Sequence, residues 1–195
     1  MARVGKVLLM LLALSGLPFL LGIDGCGGGG LVSVDQSTEI RIGQQAAADI
    51  ERQYGVVNDP VPLNRINTIG RRIAAVSQRP GLPWTFRILN QNSINAISLP
   101  GGYIYVTRGL LGAGVSDAEL AGVIGHEVAH VNERHSVRAI ERGMTYSLLS
   151  ELVLGRSSQA LQTAANVAIQ YAIELPHSRQ DEYESDDVGM RLAYN

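Results

Sequence analysis

The chain has 195 residues, 46% of them hydrophobic, and a formal charge of −2. This length and hydrophobic content fit one globular domain with a single buried core. The mildly acidic charge argues against a nucleic-acid-binding protein, because such proteins need a basic surface to contact phosphates. A single cysteine and the lack of a Gly-x-Ser-x-Gly sequence leave little support for an enzyme with a nucleophilic cysteine or serine.

The N-terminus has the order of charge and hydrophobicity that is typical of a secretory signal. Arg3 and Lys6 precede an apolar run over residues 7–23. We therefore predict a signal peptide over residues 1–25 and export of the protein. An uncleaved membrane anchor is the alternative.

The residues around Cys26 resemble the processing site of bacterial lipoproteins, although Asp24 is unusual at its position. Lipidation of Cys26 would tether the protein to a membrane, with the glycine-rich residues 26–36 as a flexible tether. A lone unmodified cysteine in an exported chain is open to oxidation, which also favours lipidation. Because Gly27 follows the cysteine, the resemblance implies a periplasmic protein at the outer membrane. Ordinary signal cleavage without a lipid is the alternative.

The predicted domain spans residues 37–195, and its first part has helical patterns followed by strand patterns. Apolar residues recur at helical spacing over residues 39–54 and 62–77. Residues 85–89 have the composition of a strand. Two further short runs, residues 95–99 and 103–106, flank a Pro-Gly-Gly turn, and we predict that they pair as a hairpin.

A capping box formed by Ser116 and Glu119 predicts the start of a helix that contains His126, Glu127 and His130. Residues at i and i+4 lie on one helix face, so both imidazoles can bind one zinc ion at about 2.0–2.1 Å. Glu127 borders that face, where it can accept a proton from metal-bound water. A pair of buried core histidines is the alternative, but an adjacent buried glutamate without a cation would be costly.

Zinc that catalyses hydrolysis needs a third protein ligand and an open position for water. The acidic residues 178–187 stand at the start of a predicted helix. Glu182 and Asp186 share a helix face, so one can bind zinc while the other hydrogen-bonds a ligating imidazole. Acids that stabilise the helix dipole are the alternative. Spacing alone does not choose among four candidates: Glu182, Glu184, Asp186 and Asp187.

Two further histidines are predicted to lie outside the metal site. On a continuous helix His135 would point away from the zinc-facing side, so we predict that it packs or stabilises the helix end. His177 is predicted to be a loop residue, with contact to substrate or to the developing oxyanion as the alternative. Between them, residues 146–175 are predicted to form core helices broken near residues 155–158, with a lid or a membrane-facing surface as the alternative.

Three ordered blocks, residues 95–111, 119–131 and 178–186, are similar to one family. They resemble the zinc metallopeptidase family of HtpX, BepA, LoiP and the CAAX prenyl proteases. In that family the glutamate of a Glu-x-x-x-Asp pair is the third ligand, which here falls on Glu182. The resemblance therefore implies one Zn²⁺ per chain, bound by His126, His130 and Glu182, with Asp186 hydrogen-bonded to a ligating histidine.

The resemblance also implies an α+β fold: a mostly helical, zincin-type metalloprotease domain with a small β-sheet or hairpin beside the His-Glu-x-x-His helix. An edge strand beside that helix would bind an extended substrate through its backbone. We predict that this strand includes Asn95, Ala96, Ile97 and Ser98, and two strands that only cover the helix are the alternative. Relatives continue with further helices, so the domain over residues 37–195 is predicted to be truncated or minimal.

The activity implied by the resemblance is that of a zinc metalloendopeptidase that cleaves misfolded or unassembled envelope proteins. Zinc lowers the pKa of its bound water towards about 7 and polarises the carbonyl, while Glu127 accepts a proton and passes it to the leaving amine. A noncatalytic envelope lipoprotein or assembly factor with a structural zinc site is the alternative. An exopeptidase would need a pocket for a free substrate terminus, and no such pocket can be predicted from the sequence.

Overall fold

The computed structural model of the protein describes residues 32–174 and 177–194. The predicted signal peptide and the predicted lipidation site at Cys26 lie outside these residues. Val34 is already buried, and the first helix begins at Gln36. No helix in the described part of the chain is long and apolar enough to cross a membrane.

The described residues form a mostly helical α+β fold, which confirms the predicted fold class. The helices are α1 Gln36–Tyr54, α2 Pro60–Ala75, α3 Arg108–Gly112, α4 Asp117–Asn132, α5 His135–Gly143, α6 Tyr146–Val153, α7 Ser158–Ile173 and α8 Arg179–Tyr194. The strands are β1 Val56–Val57, β2 Thr85–Leu89, β3 Ala96–Leu99 and β4 Tyr103–Thr107. The predicted break near residues 155–158 is confirmed between α6 and α7, and the alanine-rich face of α7 is buried as predicted for a core helix.

The four strands form one sheet in the order β1-β2-β4-β3. β2 and β4 are parallel, whereas β3 and β4 form the predicted antiparallel hairpin, with β3 at the edge of the sheet. The turn between them needs glycine because Gly101 and Gly102 have φ angles of 75° and 96°, in the left-handed region. The Pro-Gly-Gly sequence thus fixes the position of the edge strand.

Helix α4 lies between the sheet and α8. Its capping box is present, with the Ser116 amide donating to Glu119 and the Glu119 amide donating to the Ser116 hydroxyl. Its apolar face packs against the sheet, and Leu120, Ile124 and Val128 are fully buried there. Burial of this apolar face places His130 in the interior, with its side chain 1% exposed, whereas the His126 side chain remains 24% exposed.

The contact between α4 and α8 depends on two glycines. A Cβ atom at Gly125 would lie 2.6 Å from the Gly189 carbonyl oxygen, and one at Gly189 would lie 2.7 Å from the His126 amide nitrogen. Only glycine allows this backbone-to-backbone approach. The approach brings the acidic side chains of α8 next to the histidines of α4.

The helix is interrupted between α4 and α5. Arg134 has φ 57° and ψ 34°, a left-handed conformation that is uncommon for a residue with a side chain. The helix is therefore not continuous from His130 to His135, and the prediction that His135 points away from the zinc-facing side is wrong.

A buried carboxylate from α1 stabilises the backbone conformation at this interruption between α4 and α5. Glu39 is 1% exposed and accepts two hydrogen bonds of 2.9 Å from Arg79 and one of 3.1 Å from Arg134. It also accepts from the Gly101 amide in the strand turn, at 3.1 Å. One side chain thus joins α1, the β3–β4 turn and the junction between α4 and α5.

Candidate metal centre

Three side chains with metal-binding atoms converge where α4 meets α8. The Nε2 atoms of His126 and His130 are 3.0 Å apart. Glu182 places one carboxylate oxygen 3.7 Å from His126 Nε2 and the other 3.6 Å from His130 Nε2. The structure therefore brings together the three residues that the sequence predicts as metal ligands.

This donor set fits a zinc ion. Ligand atoms at 2.0–2.1 Å from a tetrahedral zinc ion lie about 3.3 Å from each other, and the observed separations run from 3.0 to 3.7 Å. Two imidazoles and one carboxylate are also a donor set of catalytic zinc sites, which keep the fourth position for water. The Glu182 side chain is 43% exposed, so solvent reaches this corner of the site.

Hydrogen bonds at the second nitrogen of each imidazole turn its Nε2 atom towards the centre. His126 Nδ1 lies 2.8 Å from a carboxylate oxygen of Asp186, the residue predicted to contact a ligating imidazole. His130 Nδ1 lies 2.7 Å from His135 Nδ1. In metal sites, contacts of this kind fix the orientation of the ligating imidazoles.

The environment of His130 keeps its imidazole neutral. Burial, together with the nearby imidazoles of His126, His177 and His135, lowers the pKa of His130 from 6.5 to about 2. A neutral imidazole has a free lone pair, which is the form that binds a metal ion.

Glu127 lies beside the three converging side chains and is 9% exposed. Burial raises the pKa of its carboxyl group, while a hydrogen bond from Ser98 and the charge of His126 act in the opposite direction. A cleft of about 460 Å³ opens next to it, between α4 and the start of β3. The residues that line this cleft are Ile94, Asn95, Ala96, Leu110, Gly122, Val123, His126, Glu127 and Asp186.

The four residues predicted to bind substrate do not share one environment. Asn95 and Ala96 line the cleft. Ile97 and Ser98 are 4% and 6% exposed, respectively. The Ile97 side chain packs in a core cluster with residues of α1 and α7, and Ser98 hydrogen-bonds Glu127. The part of the predicted strand that borders the cleft is therefore its beginning.

Two histidines contact the site in ways that the sequence analysis missed. His177 lies before α8, as predicted for a loop residue, and its Nδ1 atom is 2.7 Å from Glu182 Oε1. Its ring stacks on Tyr171, with ring centroids 4.4 Å apart. His135 contacts His130, as described above. The sequence shows that these histidines are present but not that they contact the site, because the turns that bring them there have no distinctive sequence.

Comparison with known proteins places this arrangement in a family. Residues 60–195, more than half of the chain, match peptidase family M48. The chain belongs to peptidase family M48. This result confirms the predicted resemblance to a zinc metallopeptidase family.

The M48 chain is similar to proteins from bacteria and from a plant. It is 30% identical over 171 residues to the putative beta-barrel assembly-enhancing protease of Vibrio cholerae, covering 83% of this chain and 35% of the relative. It is 25% identical over 178 residues to the beta-barrel assembly-enhancing protease of Escherichia coli, covering 86% of this chain and 36% of the relative. It is 38% identical over 119 residues to mitochondrial metalloendopeptidase OMA1 of Arabidopsis thaliana, covering 61% and 24% of the two chains. The M48 chain thus spans about a third or less of the length of these relatives.

Proposed function

We propose that this chain is a zinc metalloendopeptidase that hydrolyses peptide bonds within polypeptides. The observation that carries this proposal is the convergence of His126, His130 and Glu182 beside a solvent-open cleft that Glu127 lines. A zinc ion bound by these three residues would polarise the scissile carbonyl and acidify the attacking water. A structural zinc site has four protein ligands, so a three-residue set supports the catalytic class over the structural one.

In this mechanism Glu127 is the general base. Its carboxylate takes a proton from the attacking water and later delivers it to the leaving amine. Burial raises the pKa of Glu127, which makes it a stronger base than an exposed glutamate. Asp186 keeps the imidazole of His126 oriented through its hydrogen bond.

The proposed substrates are misfolded or unassembled proteins of the bacterial envelope. Relatives named beta-barrel assembly-enhancing proteases support this choice. The proposal includes export by the signal over residues 1–25, lipidation at Cys26 and a periplasmic location at the outer membrane. In the cleft, we propose that the backbone at Asn95 and Ala96 pairs with an extended substrate.

The test is a peptide map of an unfolded protein, such as casein, after incubation with the purified zinc-loaded chain. We expect internal cuts that stop when a chelator removes zinc and resume when zinc is restored. Glu182→Ala should lose bound zinc and cleavage together. Trimming from the ends alone would indicate an exopeptidase, and intact casein with zinc bound would support the noncatalytic alternative.

One glycine in the wall of the cleft also indicates which side chain of a substrate the cleft can accept. Gly122 lies inside α4, where glycine costs about 0.5–1 kcal/mol of stability relative to alanine. A Cβ atom at Gly122 would meet nothing within 4 Å, so no packing contact requires glycine there. With Val123, Leu110 and Ile94 in the same cleft, the open space fits an apolar side chain of the substrate next to the scissile bond.

Replacing Gly122 with leucine should therefore change the size of residue that the cleft accepts. For peptides with a large apolar residue beside the cut, we expect kcat/KM to fall about 10-fold or more, because one methylene in a hydrophobic pocket changes kcat/KM by about 10- to 200-fold. Peptides with alanine or glycine there should be affected less. Gly112→Leu is the control, since a side chain at Gly112 also meets nothing within 4 Å and lies outside the cleft. An equal loss for small and large residues would contradict the assignment of the cleft.

A further inference from the structure

His135 is a fully buried imidazole whose two nitrogens each face a different partner. It is 0% exposed and begins α5, directly after the left-handed Arg134. Its Nδ1 atom lies 2.7 Å from His130 Nδ1, and its Nε2 atom lies 3.0 Å from Glu184 Oε2. Glu184, His135 and His130 thus form a chain of hydrogen bonds that ends at a metal-binding nitrogen.

The positions of the protons in this chain follow from what each atom can do. If His130 Nε2 offers its lone pair to a metal ion, the single proton of a neutral imidazole stands on Nδ1. That N–H then donates to His135 Nδ1, and the proton of His135 stands on Nε2 and donates to Glu184. The opposite arrangement would direct the lone pair of His135 Nε2 at a carboxylate oxygen, which is repulsive. With both imidazoles uncharged, only one tautomer of His130 satisfies every group, and it is the tautomer that binds a metal ion.

The charges around Glu184 indicate that the cluster of His135, Asp181 and Glu184 orients His135 rather than binding a second metal ion. The atoms of His135, Asp181 and Glu184 lie close enough together to hold a cation. However, Arg138 Nη2 already lies 3.2 Å from both carboxylates, so the protein supplies its own positive charge. Tyr171 also donates to Asp181, at 3.2 Å. Glu184 is thereby held in place as an acceptor for His135.

We propose that His135, anchored by Glu184, is a positioning residue that selects the zinc-binding tautomer of His130 and fixes its ring. The hydroxyl group of Ser185 lies 3.4 Å from His135 Nδ1, a longer contact that leaves His130 as the nearer partner. This inference rests on the proposed zinc site but does not require peptidase activity. Its effect is on how tightly the chain holds zinc.

The test compares zinc dissociation constants of the full chain and two variants, measured by competition with a chromophoric chelator. His135→Leu removes the acceptor, and we expect zinc binding to weaken about 10- to 100-fold, as for other partners of ligating histidines. His135→Asn places a carbonyl oxygen close to the former Nδ1 position, so it should restore most of the affinity. The Co²⁺-substituted protein gives a second measurement, with a changed ligand-field spectrum expected for His135→Leu alone.

Equal losses of affinity in the leucine and asparagine variants would overturn the proposal, because the loss would then come from packing. Wild-type affinity in His135→Leu would overturn it as well. Should His135→Leu fail to fold, Glu184→Ala tests the same chain of bonds from its partly exposed end, with weaker zinc binding expected. Its matched control is Gln180→Ala, at an exposed position of the same helix. A wild-type chain that binds no zinc would overturn the metal site itself, which separates that failure from failure of the positioning role.

Discussion

Replacing Glu127 with glutamine should slow peptide hydrolysis by about 10²- to 10⁴-fold and leave the bound zinc unchanged. Glutamine has nearly the same size and can still accept a hydrogen bond from Ser98, which bonds Glu127 in the structure. Its amide oxygen is too weak a base to take a proton from water at neutral pH. Glu127 is also outside the converging three-residue set, so the zinc content should not depend on its charge. The measurements are kcat on a quenched fluorescent peptide and zinc content by mass spectrometry.

Glu151→Gln is the matched control, since Glu151 is an exposed glutamate of α6. It should keep the full rate and the full zinc content. Hydrolysis at the wild-type rate by zinc-loaded Glu127→Gln would show that Glu127 is not the general base. A variant that loses both zinc and activity would instead indicate that Glu127 helps to hold the metal ion.

The parts of the site that depend on short stretches of sequence could be predicted. The capping box needs only Ser116 and Glu119, and it sets where α4 begins and which side chains follow one another along its face. The Pro-Gly-Gly turn likewise sets the hairpin, because its two glycines supply the left-handed backbone angles. Local hydrogen bonds and backbone preferences decide both features, so a few residues carry the whole signal.

Which acid binds the metal is decided by packing rather than by spacing. The rotation of α8 about its axis follows from the close approach of Gly125 and Gly189 in α4 and α8. With this rotation, Glu182 and Asp186 face His126, as the distances of 3.7 and 2.8 Å show. The two other candidates turn elsewhere: Glu184 contacts His135, and Asp187 pairs with Arg191. The family resemblance selected Glu182, whereas the residues alone left four candidates.

The position of His135 could not be predicted, because nothing near it in the sequence signals the break. Arginine rarely adopts a left-handed conformation, so the sequence predicts a continuous helix through Arg134. The break depends instead on Glu39, which is 95 residues away along the chain. Contacts over such sequence distances form only in the folded protein and leave no periodic pattern.

Replacing Glu39 with glutamine should lower the free energy of unfolding by about 3–5 kcal/mol, because it breaks a buried ion pair and leaves a guanidinium group without its counter-charge. Glu39 is 1% exposed, and the Arg79 side chain that it pairs with is 15% exposed, so water cannot replace the lost carboxylate. Urea unfolding of the metal-free protein measures the change. The control is Asp117→Asn, whose 78% exposed side chain pairs with Arg65, and it should cost about 1 kcal/mol or less.

The Glu39→Gln variant also tests whether the buried ion pair affects zinc binding at the site. Glu39 accepts a hydrogen bond from Arg134, and the left-handed conformation of Arg134 turns the backbone so that His135 lies next to His130. Glu39→Gln should therefore weaken zinc binding under conditions where the variant is still folded, although Glu39 contacts none of the three proposed ligands. Unchanged zinc affinity in a folded but destabilised variant would mean that the α4–α5 junction keeps its shape without the ion pair. In that case the burial of His135 itself would hold the junction.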